Sequence, residues 1–211
     1  MHNAKTATHN HKYGATRTFG VKLGDIRALA KQLDIDRKMA LALWETGIAD
    51  AQRLACLMDD PHSLSADELE RMLPLTHFSQ VADWFNSYLL KDRPDRESLR
   101  ERWMASSNKW VLRSGWNLTA SRIARKDAGI DAGLMLDKIE SEMPIAPPEV
   151  QWTMNFALAY IGIHYVELRH RAIEIGEKLG VYRDYPVSKG CTSPFAPIWI
   201  AEMAARQNKS K

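Results

Sequence analysis

Residues 103–126 read WMASSNKWVLRSGWNLTASRIARK, a stretch that combines aromatic and basic side chains in one helix-forming segment. It holds three of the seven tryptophans, and its last 18 residues carry five basic residues and no acidic one. At 3.6 residues per turn, Trp110, Arg113 and Asn117 fall on one face. Because arginine is rarely buried without a partner, such a face suits a wall that meets an anionic ligand with a flat π system. The alternative is a core helix whose arginine side chains extend to water.

The composition is ordinary for a globular protein, with a small basic excess. The chain has 211 residues, of which 45% are hydrophobic and 26% charged, and its net charge is +3. Basic residues without acidic neighbours concentrate at the two ends: Lys5, Lys12, Arg17 and Lys22, then Arg206, Lys209 and Lys211. Such asymmetry is typical of nucleic-acid binders, although two solvated tails would have the same composition.

The sequence favours a soluble, cytoplasmic protein. Its two cysteines, Cys56 and Cys191, lie far apart without metal-ligand spacing, so we expect a reduced environment. The N-terminal residues lack the apolar run of a signal peptide. No stretch approaches the roughly 18–20 apolar residues that span a bilayer, so we expect no contact with a membrane.

Helical signals recur along the whole chain, and no segment alternates as a strand would. Asp36 and the capping box from Ser65 to Glu68 begin helices, while Gly47 ends one. The predicted helices cover about residues 25–33, 37–44, 50–58, 66–73, 77–92, 96–103, 109–126, 130–143, 149–163 with a continuation to 179, and a short one ending near 206. We therefore predict an all-α fold, an α-solenoid of stacked antiparallel helix pairs.

The chain divides into three predicted regions. Residues 1–18 are polar and without periodicity, which predicts a flexible basic arm. Residues 19–180 form the helical solenoid domain, and residues 181–211 an irregular loop and a short helix packed on the same domain. Four aromatic side chains are expected to hold this loop, which covers residues 181–200, against the body: Tyr182, Tyr185, Phe195 and Trp199.

The sequence contains no standard enzymatic motif. A Gly-rich phosphate loop, His-Glu-x-x-His, Cys-x-x-Cys and Gly-x-Ser-x-Gly are all absent. His164, Glu167 and His170 are spaced three apart, but on a helix the two histidines diverge by about 120° and do not converge on a metal. No metal or organic cofactor is implied. The remaining candidates are aromatic and basic: Trp84, Tyr88, Trp110, Arg113, and Trp152 or Phe156.

Several segments together resemble the AlkD-like DNA alkylation repair proteins. They are FGVK at 19–22 with Arg27, LALWETG at 41–47, NKWVLR at 108–113 and VQWTMNFAL at 150–158. The similarity spans most of residues 18–180, and the order and spacing of the segments are more specific than any one of them. The resemblance implies a superhelix of HEAT-like helix pairs whose concave basic surface holds duplex DNA. The enzymatic members of the family are DNA glycosylases that release cationic alkylated purines.

The chemistry of that family explains its residue types. An N-methylated purine is positively charged, and an indole face attracts it by about 0.5–2 kcal/mol. Cleavage of the glycosidic bond develops positive charge on the sugar, which a carboxylate stabilises. A nearby arginine would hold the flanking phosphate.

The family's active-site residues are only partly present at the matching positions. The first tryptophan corresponds to Trp84, but the catalytic aspartate, one helical turn later, corresponds to Tyr88, whose phenol is uncharged at neutral pH. The active-site arginine matches Arg113, and the second tryptophan falls at Phe156. Asp83 adjoins Trp84 but lies about 100° around the helix, so it is no obvious substitute.

The resemblance therefore predicts a binder of double-stranded DNA, alkylated or distorted, and leaves open whether it excises bases. A non-catalytic DNA-binding or protein-interaction scaffold is the alternative. The candidate catalytic residues are Trp84, Tyr88 and Arg113. The candidate lesion-binding residues are Trp84, Arg113, Phe156 and Trp110. The candidate contacts to the DNA backbone are Lys109, Arg122, Arg125 and Lys126.

The loop at 181–200 has no counterpart in the catalytic members of the family. Within it, Lys189-Gly-Cys-Thr-Ser offers backbone amides to a phosphate. Packing of the tail on the last helices is the alternative.

Overall fold

The computed structural model describes residues 2–126 and 129–209, and the regular secondary structure in this part of the chain is helical. Its twelve α-helices are α1 (Ala4–Lys12), α2 (Leu23–Ala30), α3 (Arg37–Glu45), α4 (Ala49–Met58), α5 (Ala66–Met72), α6 (Ser79–Phe85), α7 (Arg96–Trp103), α8 (Lys109–Arg125), α9 (Ala132–Glu142), α10 (Pro148–His164), α11 (Arg169–Leu179) and α12 (Ala196–Lys209). The all-α prediction is confirmed. Lys211 and the side chain of Lys209, both in the predicted basic C-terminal end, lie outside the described part.

The chain forms two compact units, Met1–Ser114 and Gly115–Lys211. The boundary falls inside α8. None of the described helices is long and apolar enough to cross a membrane.

Two helix starts that local signals predicted in the first unit are confirmed, those of α3 and α5. Asp36 caps α3 by accepting a hydrogen bond from the backbone N–H of Met39 at 3.0 Å. Ser65 and Glu68 form a capping box at the start of α5. Glu68 also pairs with Arg37, and the hydrogen bonds from Arg37 and Ser65 lower the pKa of Glu68 to about 2. These ends are fixed by residues three apart in sequence, which is why the sequence alone predicts them.

The prediction that residues 1–18 lack regular structure is wrong for residues 4–12, which form α1. Asn3 caps this helix through its side chain. The segment that follows is anchored by Asp50, whose carboxylate is buried in α4 and accepts hydrogen bonds from the Thr18 hydroxyl and from the backbone N–H groups of Phe19 and Val21. The polar composition hid this contact because its acceptor lies about 30 residues downstream.

The helix predicted over residues 77–92 changes its winding halfway. It begins as α6 and continues from Asn86 to Leu90 as a π-helical segment. Asn86 is buried there and donates a side-chain hydrogen bond to the carbonyl of Ala82 at 2.7 Å. Such segments recur at functional sites in proteins, and this one carries Tyr88.

In the second unit, α12 packs against α10 and α11 at two glycines. A Cβ at Gly162 would lie 2.5 Å from the Ile200 side chain, and one at Gly176 would lie 2.7 Å from Pro197. The irregular segment predicted over 181–200 ends at residue 195, because α12 begins at Ala196. Pro197 lies in the first turn of this helix, where proline is well tolerated.

Candidate nucleic-acid interface

Trp84 in α6 is covered by a cation from the protein itself. The guanidinium of Arg27, which extends from α2, lies 4.7 Å from the centre of the Trp84 ring. The centre of the Tyr88 ring lies 5.1 Å from that of the same indole, and Arg27 Nε donates a hydrogen bond to the Tyr88 hydroxyl at 3.1 Å. Only 7% of Trp84 is exposed. The indole is therefore already engaged in the type of cation–π contact that a cationic purine would make.

Arg113 lies in α8 and is fully buried, with 0% of its surface exposed. Its Nη2 pairs with Asp83 Oδ1 at 2.8 Å, and its Nε and Nη1 have no hydrogen-bond partner among the described residues. Asp83 keeps 46% of its side chain exposed. Asp83 thus neutralises a buried cation, and Arg113 does not extend to water as a core-helix arginine was expected to do.

The tryptophans of the stretch at 103–126 belong to the core. Trp103 and Trp116 are fully buried and Trp110 nearly so. The Nζ of Lys109 lies over the Trp110 ring, 5.3 Å from its centre. These tryptophans therefore pack in the core, as the core-helix interpretation predicts, and do not form a ligand-facing wall.

The four predicted backbone-contacting cations differ in exposure. Lys109, Arg125 and Lys126 are exposed, whereas Arg122 is half-buried. Lys109 belongs to the first unit and the other three to the second. Lys126 ends α8 with a positive φ of 54°.

Phe156 lies in an aromatic cluster of the second unit. Its ring centre is 5.5 Å from that of Trp152, 5.9 Å from that of Tyr160 and 4.9 Å from that of Trp199. Tyr182 and Tyr185 pack on Trp152 at 5.2 and 5.8 Å, so the predicted packing of the C-terminal loop is confirmed for these side chains.

The described residues contain no group of three or more His, Cys, Asp and Glu side chains that could hold a metal ion. His164 is half-buried, and burial, assisted by the charge of Lys126, lowers its pKa. His170 is exposed and lies 3.3 Å from Glu174 of its own helix.

A sequence model of the family described as DNA alkylation repair enzyme matches residues 1–193. The chain belongs to this family. A solved structure superposes on it with a TM-score of 0.78 at 24% sequence identity, covering 98% of this chain and 90% of the other. That protein is described as one of a new family related to the HEAT-like repeat DNA glycosylases, with affinity for branched DNA structures. No curated protein matches the chain.

The comparisons confirm the AlkD-like resemblance and the HEAT-like repeat fold of this DNA alkylation repair family member. The structure places Trp84 and Tyr88 in direct contact and pairs Arg113 with Asp83, the residue that precedes Trp84 in sequence. Sequence reasoning missed Arg27 as part of this group and Asp83 as the partner of Arg113. Each contact joins residues 30 or more positions apart, so no local pattern marks it.

Proposed function

We propose that this DNA alkylation repair family member binds distorted DNA, branched DNA included, and does not excise bases at the Trp84 site. One observation carries the proposal: Arg27 lies over the Trp84 ring and hydrogen-bonds Tyr88. The position where the family is expected to offer an open indole and a carboxylate thus offers a covered indole and a phenol.

Base excision needs a negative charge near the sugar to stabilise the developing oxocarbenium ion. Tyr88 offers a phenol in place of a carboxylate, and Arg27 beside it is a cation. Asp83, the carboxylate next to Trp84 in the sequence, is paired with Arg113. A cationic purine approaching Trp84 would meet the positive charge of Arg27, which disfavours its binding.

DNA binding is supported by independent features. The family acts in DNA alkylation repair, the net charge is +3, and exposed cations such as Lys109, Arg125 and Lys126 suit phosphate contacts. The affinity of the solved relative for branched DNA makes junctions the first distorted DNA to test.

The affinity for a four-way junction is expected to fall steeply and linearly with salt on a double-logarithmic plot, since phosphate contacts release counterions. Lys126→Gln should reduce the slope by about 1. Lys178→Gln is the matched control in the same unit. Lys178 Nζ already pairs with Glu140 Oε1 at 2.6 Å, so this substitution should leave the slope unchanged. Titrations of junction and plain duplex at several salt concentrations measure both. Affinity that is absent or independent of salt would rule out DNA as the ligand and favour a protein-interaction scaffold.

A further inference from the structure

The second unit contains a cavity of about 380 Å³ between α10, the C-terminal loop and the start of α12. Four aromatic side chains form its walls: Trp152, Phe156, Tyr185 and Trp199. Cavities of a few hundred Å³ with mostly apolar walls are typical of small-ligand sites.

The four rings leave part of their surface uncovered. Trp152, Phe156 and Trp199 are half-buried and Tyr185 is exposed, whereas core tryptophans such as Trp44 are fully buried. The Trp199 ring meets Phe156 edge-on and Tyr185 is tilted against Trp152. The rings therefore hold one another in place while their free surfaces face the cavity, where a flat ring can stack on them.

The rim of the cavity is polar, and a lysine lies between two of its residues in the sequence. Ser188 and Cys191 line it and are joined by a turn in which the Cys191 N–H donates to the Ser188 carbonyl at 3.0 Å. Lys189 and Gly190 form the exposed tip of this turn. Among the described residues that line the cavity none is charged, so the walls suit a neutral ring while Lys189 suits an anionic group attached to it.

We propose that this cavity binds one unpaired nucleobase, stacked against the aromatic walls, with its phosphate directed to Lys189. Stacking of a base on an aromatic side chain contributes roughly 5- to 150-fold to affinity and tolerates any base. If the protein binds DNA as proposed above, the base that enters the cavity belongs to a DNA strand. A free nucleotide carries the same chemistry.

Cys191 provides a direct readout of this cavity. It is exposed and lines the cavity, whereas the other cysteine, Cys56, is buried in apolar surroundings that raise the pKa of its thiol. Because the thiolate is the reactive form, a small alkylating reagent should label Cys191 selectively in the folded full-length chain. The labelling rate then reports how much of the cavity is filled.

The experiment compares three probes: a deoxynucleoside monophosphate, a single-stranded oligonucleotide, and the same oligonucleotide with abasic sugars throughout. The first two should slow Cys191 labelling and the abasic strand should not. Tyr185→Ala should raise the probe concentration needed for half-protection by at least about 5-fold. Tyr13→Ala is the control, because Tyr13 is also exposed but belongs to the first unit.

Equal protection by the base-containing and abasic strands would overturn the proposal, as would the absence of protection by both the nucleotide and the oligonucleotide. Protection by the nucleotide without salt-dependent junction binding would support the cavity and reject the DNA-binding function. Salt-dependent junction binding without Cys191 protection would support the DNA-binding function and reject the cavity as a base-binding site.

Discussion

Asp83→Asn is expected to lower the free energy of unfolding by about 3 kcal/mol, because it leaves the buried guanidinium of Arg113 without a counter-charge. Arg113 is fully buried and Asp83 is half exposed, so the two partners of this ion pair are not equivalent. Arg113→Met removes the buried charge and leaves a carboxylate that water can solvate. Its cost should be about 1 kcal/mol or less.

Urea unfolding of the two single variants and the double variant tests this asymmetry. Asp83→Asn combined with Arg113→Met should be clearly more stable than Asp83→Asn alone, since the unpaired buried cation is gone. Asp92→Asn is a matched control at an exposed aspartate of the same unit, expected within about 0.5 kcal/mol of the wild type. Equal losses of unfolding free energy in Asp83→Asn and Arg113→Met would contradict the burial of Arg113 with Asp83 as its counter-charge.

Asp50→Ala is expected to cost about 2–4 kcal/mol, since three hydrogen bonds to a buried carboxylate are lost. The loss should be local first. Residues 4–21 would detach because the groups that Asp50 binds, at residues 18, 19 and 21, can then hydrogen-bond water. Burial lowers the pKa of Arg53, which Asp50 opposes, so Asp50→Ala also leaves this buried cation less compensated.

Hydrogen exchange checks this second expectation. The amides of residues 4–21 should exchange much faster in Asp50→Ala than in the wild type, and Asp34→Ala, at an exposed aspartate of the same unit, should leave them protected. Unchanged protection of these amides in Asp50→Ala would show that α1 does not depend on this anchor.

The sequence predicts those helix ends that are determined by residues close to them in the chain. The N-terminal ends of α3 and α5 are encoded by Asp36 and by the capping box at Ser65, and both are found as expected. α1 escapes prediction because the segment that follows it is anchored by Asp50, about 30 residues further along the chain. The π-helical segment at 86–90 also escapes prediction, since its residues follow the apolar pattern of an ordinary α-helix.

In the candidate site, too, the sequence predicts the positions of the residues but not their long-range contacts. The resemblance to the family identifies the positions of Trp84, Tyr88 and Arg113, because order and spacing are visible in the sequence. What those side chains do is determined by Arg27 and Asp83, which reach them across the fold. The residue at the family's catalytic position can be read from the sequence, but the cation that covers the indole cannot.

Arg27 contacts both Trp84 and Tyr88. Its guanidinium occupies the indole face and keeps a positive charge beside Tyr88. Tyr88→Asp alone would therefore place a carboxylate where Arg27 neutralises it. Arg27→Gln together with Tyr88→Asp both removes the cation and supplies the missing negative charge.

Whether the Trp84 site excises bases is tested by the release of free methylated purines from alkylated duplex DNA, measured at protein concentrations that saturate binding. The wild type is expected to release no more than the protein-free background, while the Arg27→Gln and Tyr88→Asp double variant gains release. Release by the wild type well above that background would contradict the claim that this family member binds DNA without excising bases.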